Sequence, residues 1–507
     1  KIRKAIIEKR LNRVVVASCT PRTHEPLFQE TLHEAGLNPH LFTMANIRDQ
    51  CSWVHMLIPE KATAKAKELV RMAVANARRL KPLRAGKQPV VQKACVIGGG
   101  LAGMVSALLI AEQGFAVYLV EKEKVLGGNL RRVRFDEKRK SSSELLSRIE
   151  RRVRENPKIE VLTGTKVVRV SGYLGNYRTT VRNEIGEREL TNGVFVVATG
   201  AAEYRPKEYF YGEDHRVKTQ LELEEMLEEP GGMLPGVNVV AMIQCVGSRN
   251  EEHPWCSRIC CTEAVKNALR LKDANPDCQV YIFYRDMRTY GFRERLYREA
   301  REKGVMFIRF DPEDENRALS VQRNDGRLHI AAFDPVLQAR VAVKPDLLVL
   351  SSGVVPAEGN IALAQLLKVP LNEDGFFLEA HMKLRPVDFN TAGIFMAGMC
   401  HSPRLISETI AQALAAAARA CAVISQREIT TQAVVAQVRE RWCVGCGVCE
   451  RICQYEAVRV NPATGKSEVT PVLCQGCGAC ATACPSNAIE LLGFESRQLL
   501  SMVEEAL

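Results

Sequence analysis

The sequence has no run of 18 or more consecutive apolar residues, so it offers no transmembrane helix and no direct membrane insertion is expected. No signal peptide is visible in the given sequence, and in a chain this long structural disulfides are not expected. Residue 1 is Lys rather than Met, in a stretch that already reads as a helix, so we expect a natural N-terminal segment before it. The visible motifs also lack a nucleophile or an acid–base pair suited to a small organic substrate. Nucleic-acid binding is not expected either, although the formal net charge is +11. Lys and Arg are spread along the chain and interleaved with Glu, as in RIERRVRENPKIE from Arg148, the pattern of a solvated helix face. The length of 507 residues suggests two to four domains.

What the chain does have is 18 cysteines. Without disulfides to explain them, metal or cluster ligation in a reducing cytoplasm is the better reading. Eight lie near the end: Cys443-x2-Cys446-x2-Cys449-x3-Cys453, then Cys474-x2-Cys477-x2-Cys480-x3-Cys484-Pro485. This is two-cluster ferredoxin spacing, in which the fourth cysteine of each run crosses to the other cluster. Cys443, Cys446, Cys449 and Cys484 are expected to hold one [4Fe–4S] cluster, and Cys474, Cys477, Cys480 and Cys453 the second. The first run continues with Gln454 where Pro is usual. A pair of zinc sites is the alternative. Such a module relays electrons and has no chemistry of its own.

Residues 94–100, ACVIGGG, read as a short strand running into glycines. Gly98-x-Gly100-x-x-Gly103 opens an apolar helix, and a second strand, AVYLVEK, ends at Glu121. Strand, glycine turn, helix, strand and an acid about twenty residues on make the full dinucleotide fingerprint. The pyrophosphate is expected on the helix N-terminus, at Leu101 and Ala102. Glu121 is expected to accept from the adenosine ribose, with Lys122 beside it. Three later segments favour FAD over NAD. Gly127-Gly128-Asn129 resembles the second flavin loop of two-dinucleotide-binding-domain flavoproteins, which are thioredoxin-reductase-like in fold. VFVVATG, ending at Thr199 and Gly200, resembles their strand–ATG turn. TAGIFMAG, ending at Gly398, resembles their closing motif, with Met399 and Cys400 where Asp is usual. Val167, Thr409 and Ile410 complete the expected FAD contacts. A Rossmann-like domain without cofactor is the alternative.

A second glycine fingerprint, for NAD(P)H, is expected after the strand VNVVAMIQC. It is missing. The sequence there is Cys245-VGSRNEEHPW-Cys256-SRI-Cys260-Cys261, then the helix TEAVKNALRLKD and the strand QVYIFYRD, and only Gly247 remains in the turn. Four thiols stand in place of the phosphate cradle, two of them in the first turn of a helix, whose N-terminus favours thiolates. Four soft ligands suit a further [4Fe–4S] cluster. Structural zinc and buried free thiols are the alternatives. Lys266, five residues beyond Cys261, reads either as a lysine directed at the flavin, favouring its anionic reduced form, or as a surface lysine.

CVGSRN…CSRICC, followed by VYIFYRDMR and the C-terminal cysteine runs, resembles the heterodisulfide reductase A-subunit family. VVVASCTPRTHEPLFQETLHEAGLNPHLF and MANIRDQCSWVH resemble the family's N-terminal domain, so the resemblance spans nearly the whole chain. It implies FAD, several [4Fe–4S] clusters and oxidoreductase activity. It implies a homodimer within complexes containing heterodisulfide reductase B and C subunits, or a hydrogenase, formate dehydrogenase or NADH-oxidising module. It also implies ferredoxin as acceptor and electron bifurcation at the flavin. Cys19 and Cys51 match later ligands of a further N-terminal cluster; simple burial is their alternative. The methanogen form carries an inserted ferredoxin domain, and no cysteine occurs between Cys95 and Cys245, so this chain resembles a short form without it.

The expected organisation is an α/β chain. It has an N-terminal α/β domain (1–82), a linker (81–89), an FAD domain (90–230 and 334–428) and a second dinucleotide-like domain (231–333). A polar link (426–432), the ferredoxin domain (433–492) and an amphipathic helix (493–507) complete it, the helix suited to docking on a partner. Rival functions are an NAD(P)H-dependent reductase resembling the glutamate synthase small subunit, and a passive relay subunit, including that of a quinone-linked complex.

Overall fold

The computed structural model describes residues 1–228, 236–314, 318–334, 336–430 and 433–507. The expected boundary at 230/231 and the last two residues of the 426–432 link lie outside them. The chain forms two compact units, Lys1–Gln88 with Glu428–Leu507, and Pro89–Arg427.

Two five-stranded parallel sheets organise the unit Pro89–Arg427. In the first, the strand order is Ile394–Met396, Val194–Val197, Lys93–Ile97, Ala116–Val120, Ile159–Leu162. In the second it is Val217–Thr219, Leu347–Ser352, Val239–Val246, Gln279–Tyr284, Met306–Arg309. Strands such as ACVI, VFVV and VVAMI are apolar on both faces, as parallel strands covered on both sides must be. Each sheet carries a three-stranded antiparallel layer: Lys166–Tyr173, Asn176–Arg182 and Glu187–Asn192 for the first, Ser320–Asn324, Arg327–Asp334 and Ala339–Val343 for the second. The chain crosses between the halves on a short antiparallel pair, Ala201–Glu203 with Val354–Pro356.

The helix Leu101–Glu112 is apolar nearly all round because it is sandwiched between the first sheet and the helix Ile406–Ile424. The two helices meet through small residues. Ala413, Ala416, Ala417 and Ala420 are fully buried on one side and Ala107 on the other, and Ser106 Oγ donates to Ala413 O at 3.2 Å.

In the other unit, the strands Val14–Ser18 and Phe42–Asn46 pair in parallel. Cys19 and the short π-helical turn Arg48–Ser52 carrying Cys51 lie beyond the same end of this pair. The Cys51 thiol is buried and donates to Ala62 O at 3.0 Å. The cysteine runs fold around two antiparallel pairs, Ala436–Val438 with Ile489–Leu491, and Val458–Asn461 with Lys466–Val469. The C-terminal helix Ser496–Ala506, read from sequence as a partner-docking element, uses one face within its own chain. It packs on the helix Pro59–Arg79, with Lys81 paired to Glu495 at 2.7 Å and Gln498 Nε2 donating to Arg79 O at 3.3 Å. Among the described residues no helix is long and apolar enough to cross a membrane.

The alanine seam gives a direct test. Ala417→Leu should destabilise this unit by about 1–3 kcal/mol through overpacking, and exposed Ala418→Leu should be near neutral, both read by thermal or urea unfolding.

Candidate functional site

The first glycine turn is built by close approach. Gly98 has φ +111°, and a Cβ there would lie 2.3 Å from Ala198 O. A Cβ on Gly103 would lie 1.8 Å from Gly98 O, so the helix start is pressed directly onto the strand end. Gly100 differs: nothing lies within 4 Å of its would-be Cβ. The turn is therefore packed beneath and open above the first helical turn, where a pyrophosphate fits. Glu121 is buried and its two oxygens accept from Gly99 N at 2.5 Å and Glu123 N at 2.8 Å. Its carboxylate thus also holds the turn, beyond the ribose role read from sequence.

The other predicted flavin segments meet around this turn. Gly127 N donates to Gly99 O at 2.8 Å, and a Cβ on Gly128 would sit 3.3 Å from Gly100 Cα. Asn129 Nδ2 donates to Ala201 O at 2.8 Å and reaches Met399 Sδ at 3.9 Å. Gly398, with φ +81°, lies against Ala102 and Thr409, and its N–H donates to Gln412 Oε1 at 2.8 Å. Thr199 Oγ1 donates to Asn360 Oδ1 at 3.3 Å, and Gly200 beside it has φ +72°. Gln412 and Asn360 carry no linear signature and are found only from the fold. Lys122 is exposed, Ile410 half-buried, and Val167 packs partly buried beside Val120 and Leu162. Cys400, where Asp is usual, is fully buried and donates to Val197 O at 3.3 Å and Ala397 O at 3.2 Å; burial pushes its thiol up to about 11. It is a packing thiol that offers the flavin no carboxylate.

The corresponding turn of the second sheet is filled. Gly247 has φ +68°, and a Cβ there would lie 2.0 Å from Tyr204 Cδ1. The tyrosine ring occupies the side on which a phosphate loop would need room. Tyr204, His253, Trp255 and Phe376 form a chain of ring contacts at 5.5, 5.0 and 5.8 Å, and Trp255 Nε1 donates to Val354 O at 2.9 Å. These rings hold the loop that brings Cys256 back to Cys245. Cys260 and Cys261 open the helix Cys260–Ala274, and both are buried. Burial pushes Cys245 up to about 11, with Cys261 and Cys256 close enough to add to it. The hydrogen bond from Cys260 brings Cys261 down to about 7, helped by Arg288 and Arg249, and Cys260 is raised in turn by Cys261, burial and its other two neighbours. All four thiols therefore share one electrostatic neighbourhood. Among the described residues no three Cys, His, Asp or Glu side chains are placed to hold a single metal ion.

Lys266 is not a surface lysine. Its side chain is fully buried, and its ammonium pairs with Glu224 at 2.7 Å, contacts Glu263 and donates to Phe135 O at 2.8 Å. With three acceptors for three N–H groups, it reaches a further acceptor only by sharing. Phe135 lies just beyond the flavin loop Gly127–Asn129, and Arg134 N donates to Glu224 at 2.8 Å, so this triad ties the thiol-bearing helix to the flavin loop.

In the C-terminal module, Cys453, Cys474, Cys477 and Cys480 line one cavity. Burial raises Cys480 to about 11, and Cys474, Cys453 and Cys477 each add to the shift. In the other set, Cys443 and Cys449 share Ser467, which donates N–H to Cys443 Sγ at 3.3 Å and lies 3.1 Å from Cys449 Sγ through its hydroxyl. The halves repeat one pattern. Ala457 and Ala488 donate N–H to Cys453 and Cys484, each at 3.3 Å, and Ala436 donates to Cys474 at 3.4 Å as Ser467 does to Cys443. Gly445 and Gly476 take matching positive φ values, +68° and +64°, each with a carbonyl oxygen too near for a Cβ. Amide donors to ligand sulfurs are a lever on cluster potential.

Fold and site together define a two-dinucleotide-fold flavoprotein oxidoreductase joined to a two-cluster iron–sulfur module. The pyridine nucleotide-disulphide oxidoreductase family model matches residues 92–232 and the 4Fe-4S dicluster domain model residues 442–488. The chain belongs to the heterodisulfide reductase A-subunit family. It is 36% identical to the A subunit of the H(2):CoB-CoM heterodisulfide,ferredoxin reductase of Methanothermobacter thermautotrophicus, covering all of this chain and 90% of that one. It is 32% identical to the A subunit of the Ferredoxin/F(420)H(2)-dependent CoB-CoM heterodisulfide reductase of Methanosarcina acetivorans, over 99% of this chain and 74% of that one. The first match runs over 602 aligned positions against 507 residues here, so that relative holds nearly a hundred residues internally that this chain lacks, in keeping with a short form. Among solved structures, Lactococcus lactis thioredoxin reductase matches with a TM-score of 0.45 at 17% identity, over 66% of this chain and 99% of that one. The protein is an FAD- and iron–sulfur-dependent electron-transfer subunit.

Gly103→Ala should abolish flavin binding, because its Cβ has no room between helix and strand, and leave the C-terminal iron in place. Flavin and iron content of the purified variant, against wild type, checks this.

Proposed function

We propose that the chain converts between two-electron and one-electron transfer at its FAD, and that Cys245, Cys256, Cys260 and Cys261 hold a [4Fe–4S] cluster that takes single electrons from it. The observation that carries this reading is the turn after Val239–Val246, where Tyr204 fills the space over Gly247 and four thiols gather on a helix start. Four separate thiolates suit a cuboid with four irons, whereas zinc draws its ligands onto one ion. The flavin supplies the chemistry of accepting an electron pair and releasing it singly. The residues Gly98–Gly103, Glu121, Gly128–Asn129, Thr199–Gly200, Gly398–Met399 and Thr409 hold it. Lys266, its charge balanced by Glu224 and Glu263, fixes the flavin loop through Phe135. The cysteines of the C-terminal module carry electrons outward, with Cys453 and Cys484 crossing between the two clusters, and Cys19 with Cys51 are two ligands of a further N-terminal cluster that would need two more from outside this sequence.

Within this family reading, the flavin bifurcates, sending one electron of each pair to a high-potential acceptor and the other to low-potential ferredoxin. The names of the relatives support ferredoxin and a heterodisulfide reductase complex as partners. The B and C subunits of such a complex, and a hydrogenase, formate dehydrogenase or NADH-oxidising module, are the corresponding associates of a homodimeric chain that works in the cytoplasm. The filled turn argues against NAD(P)H as a direct donor to this chain.

Anaerobic redox titration of the holoprotein tests the reading. Bifurcation predicts crossed one-electron potentials, with no flavin radical signal accumulating at any potential. A radical stable over a wide range would instead make this chain a relay. Flavin bleaching of the isolated chain by NADPH would revive the nicotinamide-dependent alternative.

A further inference from the structure

The segment after the closing flavin motif carries a polar network that the cofactor-binding residues do not account for. His401 lies one residue past Cys400, and its ring is mostly buried. Its Nε2 is 2.8 Å from Glu379 Oε2. Its Nδ1 faces Arg404 Nη2 at 2.7 Å and Gln412 Nε2 at 2.8 Å. A guanidinium can only donate, so Nδ1 is the acceptor and the ring proton sits on Nε2, donated to Glu379. The orientation of Gln412 agrees, because its Oε1 already accepts from Gly398 N at 2.8 Å. The imidazole is thus held neutral; burial acts in the same direction, lowering its pKa. A neutral histidine fixed at three points is a rigid support for a guanidinium.

Arg404 is the residue being supported. Its Nε is buried with no hydrogen-bond partner. Burial and the like charge of nearby Arg258 both disfavour its charged form. Arg258 comes from the loop between Cys256 and Cys260 and is anchored by Tyr290 at 3.1 Å and Glu408 at 3.6 Å. Among the described residues, Glu408 is the carboxylate near both guanidinium groups, and Tyr290 and Arg293 already occupy it. Arg404 immediately precedes Leu405, the N-cap of the helix Ile406–Ile424, whose terminus adds further positive potential. Two guanidinium groups held close together beside a helix start make a place that favours an anion.

We propose that Arg404, steadied by His401 and assisted by Arg258, supplies the positive charge that stabilises the N1–C2=O edge of the anionic reduced flavin. Arg404 is a residue that contacts the cofactor; His401, Gln412 and Glu379 are positioning residues. The device lies just past the closing motif, where Cys400 stands in place of the usual carboxylate. Because Arg258 belongs to the thiol loop, the same charge also links the flavin edge to the central cysteines. This inference rests on the flavin lying in the cradle proposed above.

Sulfite reads that charge on the oxidised holoprotein. Its sulfur lone pair forms a bond to flavin N5, and the negative charge passes to N1–C2=O, bleaching the flavin band. Arg404→Gln should weaken sulfite binding about tenfold or more, the effect of removing a unit charge beside a buried anion, and lower the flavin potential. Arg404→Lys should recover much of the loss. His401→Phe should give an intermediate loss, through Arg404 alone. Unchanged sulfite affinity in flavin-loaded Arg404→Gln overturns the proposal, as does a wild type that takes up none. If Arg404→Gln is recovered without flavin, His401→Phe decides by the same criterion. A wild type that binds no flavin would overturn the cradle instead.

Discussion

The arrangement of this molecule turns on one contact, the Tyr204 ring against Gly247 at the end of the strand Val239–Val246. A dinucleotide fold needs an open glycine turn at that place, so that backbone N–H groups meet a pyrophosphate. The first sheet keeps its turn open over Gly100. The second sheet repeats the strand–loop–helix–strand order but fills the turn with an aromatic ring. The same chain thus uses one scaffold twice, once for a flavin and once for thiols.

Four thiols in one buried neighbourhood are costly as thiolates without compensation. Cys245 and Cys260 are each pushed upward by burial and by neighbouring thiols, as Cys480 is within the C-terminal module. The hydrogen bond from Cys260, with Arg288 and Arg249 behind it, offsets part of that at Cys261, which is lowered. Iron held by these thiols would supply the rest of the positive charge and invert the local preference for protonated sulfur. The buried Lys266 with Glu224 and Glu263 then joins this helix to the flavin loop through Phe135, so the thiol-bearing helix and the flavin loop are mechanically one piece. Removing one partner of such a triad leaves an uncompensated buried charge.

Much of this was legible in the amino-acid order, because glycine turns and cysteine spacings are local. Gly98, Gly100, Gly103 and the eight cysteines from Cys443 to Cys484 stand out by spacing alone. The loss of the second phosphate cradle was also visible, since one glycine cannot make it. What stayed hidden depends on residues distant in sequence. Nothing local marks Tyr204 as the ring over Gly247, or Gln412 as the acceptor for Gly398. Lys266 reads as exposed or flavin-directed because its partners Glu224 and Phe135 come from other elements. The C-terminal helix reads as a free amphipathic element because its cover, Pro59–Arg79, lies more than four hundred residues earlier.

The central claim is that a cluster occupies the place of a second dinucleotide. Anaerobic iron, sulfide and flavin quantification of the wild type beside the Cys260→Ala, Cys261→Ala double variant tests it most directly. The account predicts about twelve irons per FAD, falling by about four in the variant. About eight irons in both proteins would leave only the C-terminal pair and contradict it.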